Sequence, residues 1–521
     1  MSQHGSGWTS RRAFLTATGA GTLGAVAGCL GGEGPEEFVV TQGELAGNAD
    51  PNDHNATPAY NVFDPVYEPL FDLTPDGEIQ ERIVTDWEHV DDGEIELTLR
   101  DDVVFHNGDE MTASDVAYTI DRQVDEEVGI PSPQADGMTG ITGAEAEDET
   151  TVLVEHEVNP ELAETGLGVF ARVVDEEWVE EREQPIADEM NGTGPYQLVE
   201  FQAEEHAVYE VFDDYWGEEP PFDQLRFQAI STDSTRVADL ETEASDVVTN
   251  VPPADVHDIS EAEGLDIRTV VSFRNIFLVM PNDDEPFDSQ AFRQAMNYAV
   301  DNEAIISDIN DGFGEPMSQP VPEDHFGHNP DLEPYPYDPD EAESLIEESG
   351  YEGEALTLTC PDGRYLNDTD IAEYAASQID ELDTVSCEAE IVPFEDLVEM
   401  VLDGDPTTAP DFFLIGWGNP TYDSNYGLEP WFVEGQASYN FLEEDLEEPV
   451  LDQRIEEAIL ESQTVEDEDE REQLLQDINE EIHEAAAWVF LHNEESVYGV
   501  RSDLEWEPRG DERINPGEME L

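Results

Sequence analysis

EIELTLRDDVVFHNGDEMTASDVAYTIDR, residues 94–122, changes hydrophobic period within a single short span. Glu94 to Arg100 alternates apolar and polar side chains strictly, which is the pattern of a strand with one buried face. Asp101 to Gly108 is rich in turn residues and carries Phe105 and His106. Beyond it the apolar positions Val116, Ala117 and Ile120 recur at three to four residues, with Thr112 or Ser114 placed to cap a helix. The segment reads as strand, turn and capped helix, and from Phe38 onward the chain repeats this mixture of short strands, Gly/Pro turns and moderate helices without a tandem repeat.

A second stretch, DFFLIGWGNPTYDSNY from Asp411 to Tyr426, empties an apolar run into a loop of aromatic and hydrogen-bonding side chains. The run between Pro410 and Gly416 predicts a short buried strand. Strand ends that release such side chains into a Gly/Pro loop are where α/β proteins commonly hold ligands. A structural alternative stays open, in which Trp417 and the tyrosines roof a core.

At 521 residues the chain exceeds one ordinary core, and two or three domains are expected. Its charge is extreme: 130 Asp and Glu face 18 basic residues, all of them Arg, for a net charge of −112. The acids are spread among regular apolar runs, which describes a folded acidic surface rather than a solvating tail. Self-repulsion of this size destabilises a compact state at low ionic strength, whereas the Debye length shrinks to about 3 Å at 1 M salt. The composition therefore points to a high-salt cell, of the halophilic archaeal kind. It also excludes nucleic acid as a partner, because phosphate binding needs a basic footprint.

Residues 1–28 contain two arginines and no acid, a compositional break that marks a segment with a different fate. Arg11 and Arg12 followed by a short apolar run resemble a twin-arginine export signal, and the small residues before Cys29 resemble a lipobox. The run is shorter than the ~20 apolar residues a spanning helix needs. The expectation is a mature chain beginning at Cys29, lipid-modified and tethered outside the membrane, with residues 29–37 as anchor and linker.

Outside the cell a disulfide between Cys360 and Cys387 is permitted, and the sequence leaves open whether their Cα atoms come within bonding range. Asn55, Asn191 and Asn367 each open a glycosylation sequon. Paired carboxylates carry no catalytic information in a chain about one-quarter acidic. HExxH, GxSxG, P-loop and CxxC patterns do not occur. His325 and His328 in HFGHNP read as an exposed loop, and the acidic run Glu466 to Glu470 as a solvated helix entrance; no metal site or cofactor is expected.

Residues 99–122, together with Tyr67-Glu-Pro-Leu70, the Gly77 turn and Trp87, resemble the signature region of extracytoplasmic solute-binding proteins of the dipeptide, oligopeptide and nickel class, which serve ABC importers. The likeness continues through Gly192-Thr-Gly-Pro-Tyr196, Asp214-Tyr-Trp-Gly217, Phe222-Asp-Gln-Leu225, the helix at Phe292 to Asp301, the entry Tyr337 to Ala342 and the stretch at Asp411. It implies an α/β, two-lobed periplasmic-binding-protein-like (Venus flytrap) fold with mixed sheets, its first lobe subdivided by an inserted domain. Chain crossings fall near Tyr60, Gly192, Arg274 and Trp488. On that mapping 36–60, 193–274 and 488–521 form the first lobe, 61–192 the insertion and 275–487 the second lobe, with amphipathic helices at Ile455 to Gln463 and Arg471 to Ala487.

The resemblance also implies a function: capture of a small solute, peptide first, between two closing lobes and delivery to membrane permease subunits by a monomeric, lipid-anchored receptor without catalysis. In the dipeptide-binding branch an arginine near Arg364 meets the ligand carboxylate, a task suited to a planar guanidinium fork. Peptide binders place an aspartate three residues after the Trp of Gly416-Trp417, where this chain has Pro420. Asp423 is positioned to compensate; alternatively Trp417, Tyr422 and Tyr426 form an aromatic platform for a sugar, a cationic solute or a nickel complex. The expected ligand contacts are Trp417, Gly418, Asn419, Tyr422, Asp423 and Arg364 from one lobe and Tyr60 from the other. A competing class is a secreted hydrolase using two of the many acids.

Overall fold

Two long strands, Leu265–Val279 and Trp488–Arg501, lie antiparallel and carry the chain between its two halves. Their register runs from Leu265 opposite Arg501 to Val279 opposite Trp488, with a shift between Val271 and Asn275. Such an irregularity bends and twists a strand locally. Here it divides the ribbon into one end that joins the first lobe and one that joins the second. The computed structural model describes residues 37–521 apart from 55, 76, 92, 126–127, 283–284, 403–409, 411 and 434–452. The expected export signal with Arg11 and Arg12, the lipid-attachment Cys29, the Asn55 sequon and Asp411 therefore lie outside the described residues.

On the first-lobe side the ribbon continues through Val247–Val248, Glu37–Gln42, Gln224–Ala229, His206–Val211 and Tyr196–Gln202. On the other side Phe413–Gly418 pairs antiparallel with the ribbon and is followed by the parallel strands Ala355–Pro361 and Ser386–Val392. The result is one mixed sheet shared by two α/β lobes. A separate four-stranded antiparallel sheet, in the order Val84–Asp91, Glu94–Leu99, Thr151–His156 and Ile141–Ala146, belongs to the inserted segment.

Local chemistry explains these elements. In Glu94–Leu99 the alternation buries Ile95, Leu97 and Leu99 on one face. Helix Ala113–Val124 starts at Thr112, whose backbone N–H and hydroxyl both donate to the Asp115 carboxylate at 2.8 Å. This reciprocal cap satisfies donors that a helix start otherwise leaves bare. Helix Glu468–Ala485 starts at Asp467, which accepts from Glu470 N, so the acidic run sits in the first turn where the helix dipole favours negative charge. Its partner helix is Gln453–Ser462.

Strand Phe413–Gly418 runs past the glycine expected to end it. A Cβ on Gly416 would lie 2.7 Å from both Tyr365 and Ile276, so glycine is the residue that lets the backbone continue between those side chains.

Three main cores hold these parts. Phe277, Phe412, Trp431 and Trp488 centre the second lobe; Phe38, Tyr67, Tyr209 and Phe227 the first; Leu70, Ile95, Val116 and Phe170 the insertion. Burial of each such side chain contributes about 1.5–3 kcal/mol. The partition differs in detail from the sequence mapping. Val62, Phe63, Val66 and Tyr67, with Val174, Val179 and Ile186, pack into the first lobe's core, because the two passages into the insertion must be anchored there. Trp488 to Leu491 belong to the second lobe's core, so the return crossing lies beyond Trp488, where His492 to Glu495 meet the register shift.

Cys360 pairs in register with Ile391 and Cys387 with Leu356 on adjacent parallel strands. The two cysteines are thus offset by four positions, roughly 13 Å at a strand rise of ~3.3 Å, which rules out a bond between them. Both are buried thiols, and burial pushes Cys387 up to about 12. Asn191 and Asn367 spend their amides inside the fold, on Asp175 and on the Ile309 carbonyl, each at 3.0 Å. Among the described residues no helix is long and apolar enough to cross a membrane.

Candidate functional site

Where the strand Phe413–Gly418 ends beside the register shift of the ribbon, both lobes and the insertion close around a cavity of about 300 Å³. The second lobe supplies Trp417 and Arg364, the first Tyr60 and Arg513, and the insertion Phe170. Trp417 sits in an aromatic wall: Tyr426 and Trp431 both lie 5.4 Å from it, and Phe170 stands 5.3 Å from Tyr426. Its indole N–H donates to the Tyr426 carbonyl at 2.9 Å, which fixes the ring against the following helix, Asn425–Phe432. Such a wall is rigid before any ligand arrives.

The expected contacts separate into two groups. Trp417, Gly418, Asn419, Arg364 and Tyr60 line the cavity, together with Pro420 and Tyr426. Asn419 does so while its side chain organises the loop, donating to Asp423 O and accepting from the Thr421 hydroxyl, both at 2.8 Å. Tyr422 and Asp423 are turned to other tasks. Tyr422 has φ +58, its hydroxyl donates to the Pro75 carbonyl at 3.0 Å, and its ring stacks on His325. The Asp423 carboxylate accepts from both terminal nitrogens of Arg471, at 2.6 and 2.8 Å, and from Asn425 N at 2.8 Å. It is therefore neutralised within the second lobe, and the compensation expected of it does not reach the cavity. The aromatic platform consists of Trp417 and Tyr426 without Tyr422.

His325 is buried, with Nε2 2.8 Å from the Asn419 carbonyl, and burial lowers its pKa to about 4, so the ring stays neutral. It is a loop support rather than an exposed residue. Among the described residues no cluster of His, Cys, Asp and Glu fits a metal ion.

Arg364 reaches from the second lobe to Glu44 of the first, 3.2 Å away, and its guanidinium lies over Tyr365 and Phe394 at 4.9 and 5.5 Å. Three further arginines were not singled out by sequence. Arg274, at the register shift, grips Glu512 through Nε and Nη2 at 2.9 and 2.7 Å. Burial opposes its charge, yet Glu512 more than compensates and holds the cation. Burial and the neighbouring Glu512 carboxylate push Glu494 up to about 7. Arg172 and Arg513 flank the Tyr60 ring at 4.9 and 4.7 Å, and burial pushes that phenol up to about 12. Sequence carried no signal for them; scarcity marks the site only once folded, since three of the chain's 18 arginines, Arg274, Arg364 and Arg513, line one cavity.

The cavity is closed by contacts between insertion and second lobe. Thr139 donates to Glu429 at 2.8 Å, Asn159 Nδ2 donates to the Val465 carbonyl at 2.8 Å, and a Cβ on Gly77 (φ +80) would lie 2.7 Å from the Tyr422 ring. Glycine is required there on both counts.

Comparison with known proteins bears on this arrangement. Residues 78–439 match the model of the bacterial extracellular solute-binding proteins, family 5. The dipeptide-binding protein of Escherichia coli (strain K12) is 26% identical over 372 residues, spanning 64% of this chain and 66% of that protein. The glutathione-binding protein GsiB of Pectobacterium atrosepticum is 23% identical over 468 residues, 89% of each chain. Among solved structures, the ABC transporter-associated periplasmic binding protein DppA of Helicobacter pylori in complex with peptide STSA superposes with a TM-score of 0.82 at 21% identity, covering 94% of this chain and 98% of its own.

Proposed function

Because this chain belongs to the bacterial extracellular solute-binding proteins of family 5, we propose that it is the capture subunit of an ABC importer for a small, peptide-sized solute bearing a carboxylate. It is a binding protein rather than an enzyme, as its relatives are. The observation that carries the ligand reading is the composition of the cavity lining, which joins the aromatic residues Trp417, Tyr426 and Trp431 with Arg364 and Arg513 and draws on both lobes. An apolar wall with a few convergent polar groups is how small-molecule sites are built. Three arginines against two carboxylates, Asp511 and Glu512, disfavour a cationic solute in a chain otherwise dominated by acids.

In this reading the lobes close on the solute because each contributes contacts that the open state lacks. Arg364 with Glu44 makes one such bridge, and Tyr422 over Gly77 another. Cys29 carries a lipid that tethers the receptor at the outer face of the membrane, where it hands solute to permease subunits as a monomer. A thermal-shift screen in molar KCl across peptides, organic acids, sugars and amino acids tests the receptor reading, since a ligand that binds only the folded state stabilises it by mass action. Stabilisation with the solute recovered intact is expected; a solute returned as product contradicts it. For the anchor, Cys29→Ser releases the protein from membranes, and retention of that variant contradicts the lipid tether.

A further inference from the structure

The cavity continues beyond Arg513. A second chamber of about 310 Å³ shares Pro420, Asp511 and Arg513 with the first and is lined also by Arg172, which the first lacks. At this boundary two guanidiniums share one near carboxylate. Asp64 is the carboxylate nearest to both guanidiniums: Arg172 Nε meets it at 2.8 Å, whereas Arg513 Nη1 stands 3.8 Å away. Arg513 otherwise donates to the Val169 carbonyl at 3.3 Å, and Arg172 Nη1 donates to the same carbonyl. The Arg172 side chain is fully buried, and its Nη2 has no acceptor among the described residues. Burial, with the neighbouring Arg172 charge, lowers the pKa of Arg513. A buried guanidinium without a full complement of acceptors is costly. In a chain with 130 acids, carboxylates to neutralise it were abundantly available.

The two carboxylates that line the first cavity, Asp511 and Glu512, and Asp423 of the neighbouring loop are by contrast already paired. Asp423 is held by Arg471, Glu512 by Arg274 at 2.7 Å and Asp511 by Arg509 at 2.8 Å, and Pro420 stands where an acid was expected. The first cavity thus has a guanidinium with spare donors at its edge and no lining carboxylate without a cationic partner.

Resting on the receptor reading, we propose that this site selects solutes by a carboxylate seated on Arg513 and Arg172 beside Tyr60, and that it does not read a free amino group. The ligand class is an anionic, amphipathic solute whose apolar body lies on Trp417 and Tyr426. N-blocked peptides and amine-free organic acids belong to it as fully as free peptides. Arg364 forms an ion pair with Glu44 across the lobes at 3.2 Å, without hydrogen-bond geometry, and lies over two rings; in this proposal it serves closure rather than anion recognition.

The test is calorimetric titration in molar KCl with a matched panel of two- to four-residue peptides containing one phenylalanine, each as the free form, the N-acetyl form and the C-terminal amide. Acetylation is expected to change affinity less than threefold, and amidation to lower it at least tenfold. In Arg513→Met the difference between acid and amide disappears; in Arg364→Met it persists. The wild-type panel decides the matter even where a variant fails to fold. A free form that binds while its acetylated form does not, or amides that bind as well as acids, overturns the proposal and leaves the receptor reading standing. Binding confined to sugars overturns the proposal and the carboxylate part of the ligand reading, and leaves only solute capture standing. Failure of every solute class to bind overturns the receptor reading, and this proposal falls with it.

Discussion

Arg471, on the helix Glu468–Ala485, clasps Asp423 with both terminal nitrogens at 2.6 and 2.8 Å, across 48 residues of sequence. The pair decides what the second lobe can offer a ligand. An acid that sequence places beside the cavity is instead satisfied by the chain itself, and its guanidinium partner is packed over Phe326 at 5.1 Å.

Breaking this pair destabilises the fold more than it affects binding. Arg471→Ala leaves the Asp423 carboxylate, 13% exposed, without its counter-charge, and a loss of about 3 kcal/mol is expected from a largely buried pair that loses one partner. The double variant Arg471→Met/Asp423→Asn recovers part of it. Denaturant melts in molar salt measure both; a double variant less stable than the single one contradicts the pairing account.

Gly77→Ala acts on closure. The added Cβ meets the Tyr422 ring across the junction between insertion and second lobe. Affinity for a bound solute falls at least tenfold, roughly 1.4 kcal/mol, on top of the ~1 kcal/mol that alanine at φ +80 costs the ligand-free protein as well. Adding Tyr422→Ala restores affinity. Unchanged affinity in the single variant would show that this contact plays no part in binding.

Protonation exposes a buried histidine in the hinge. Burial lowers His492 to about 4, so between pH 6.5 and 4 the unfolded chain binds a proton that the folded chain refuses. Stability contributed by the neutral ring is complete above pH 6.5 and is lost as pH falls toward 4. His492→Gln removes this loss: from pH 7 to pH 4.5 in molar KCl the variant loses about 2 to 3 kcal/mol less than wild type. Parallel acid limbs would refute the assignment. Glu494, pushed up to about 7, has the opposite sign and is present in both proteins, so the comparison cancels it.

The net charge of −112 predicts salt dependence. The thermal midpoint falls by at least 10 °C between about 3 M and 0.1 M KCl, as the Debye length grows from under 3 Å to about 10 Å. A flat profile would mean that local pairing, not screening, holds the acidic surface together.

What was legible in the sequence was periodic or local. The alternation of Glu94 to Arg100 showed its buried face directly, and Thr112 was one of the two residues placed to cap the helix that follows, although its partner Asp115 was not foreseen. The strand Phe413–Gly418 was visible as an apolar run, although Gly416 looked like its end because the side chains that require glycine there, the Tyr365 ring and the Ile276 methyl, come from far away in sequence. Side-chain pairing was not legible. Asp423 looked available because Arg471 arrives from another helix, and Arg274 gave no hint of Glu512, which lies 238 residues on. Arg364 could be singled out by its position after a strand, whereas Arg172 and Arg513 acquire meaning only when the fold brings both guanidiniums within 5 Å of the Tyr60 ring centre.

The central claim is capture of an intact solute between the lobes, and its most direct test is to release whatever small molecule remains with the purified protein, identify it by mass spectrometry and titrate it back calorimetrically. The account predicts one carboxylate-bearing solute per chain, recovered unchanged, with affinity lowered at least tenfold in Trp417→Ala and in Arg513→Met. A solute that returns chemically altered, or that binds both variants as tightly as wild type, would contradict it.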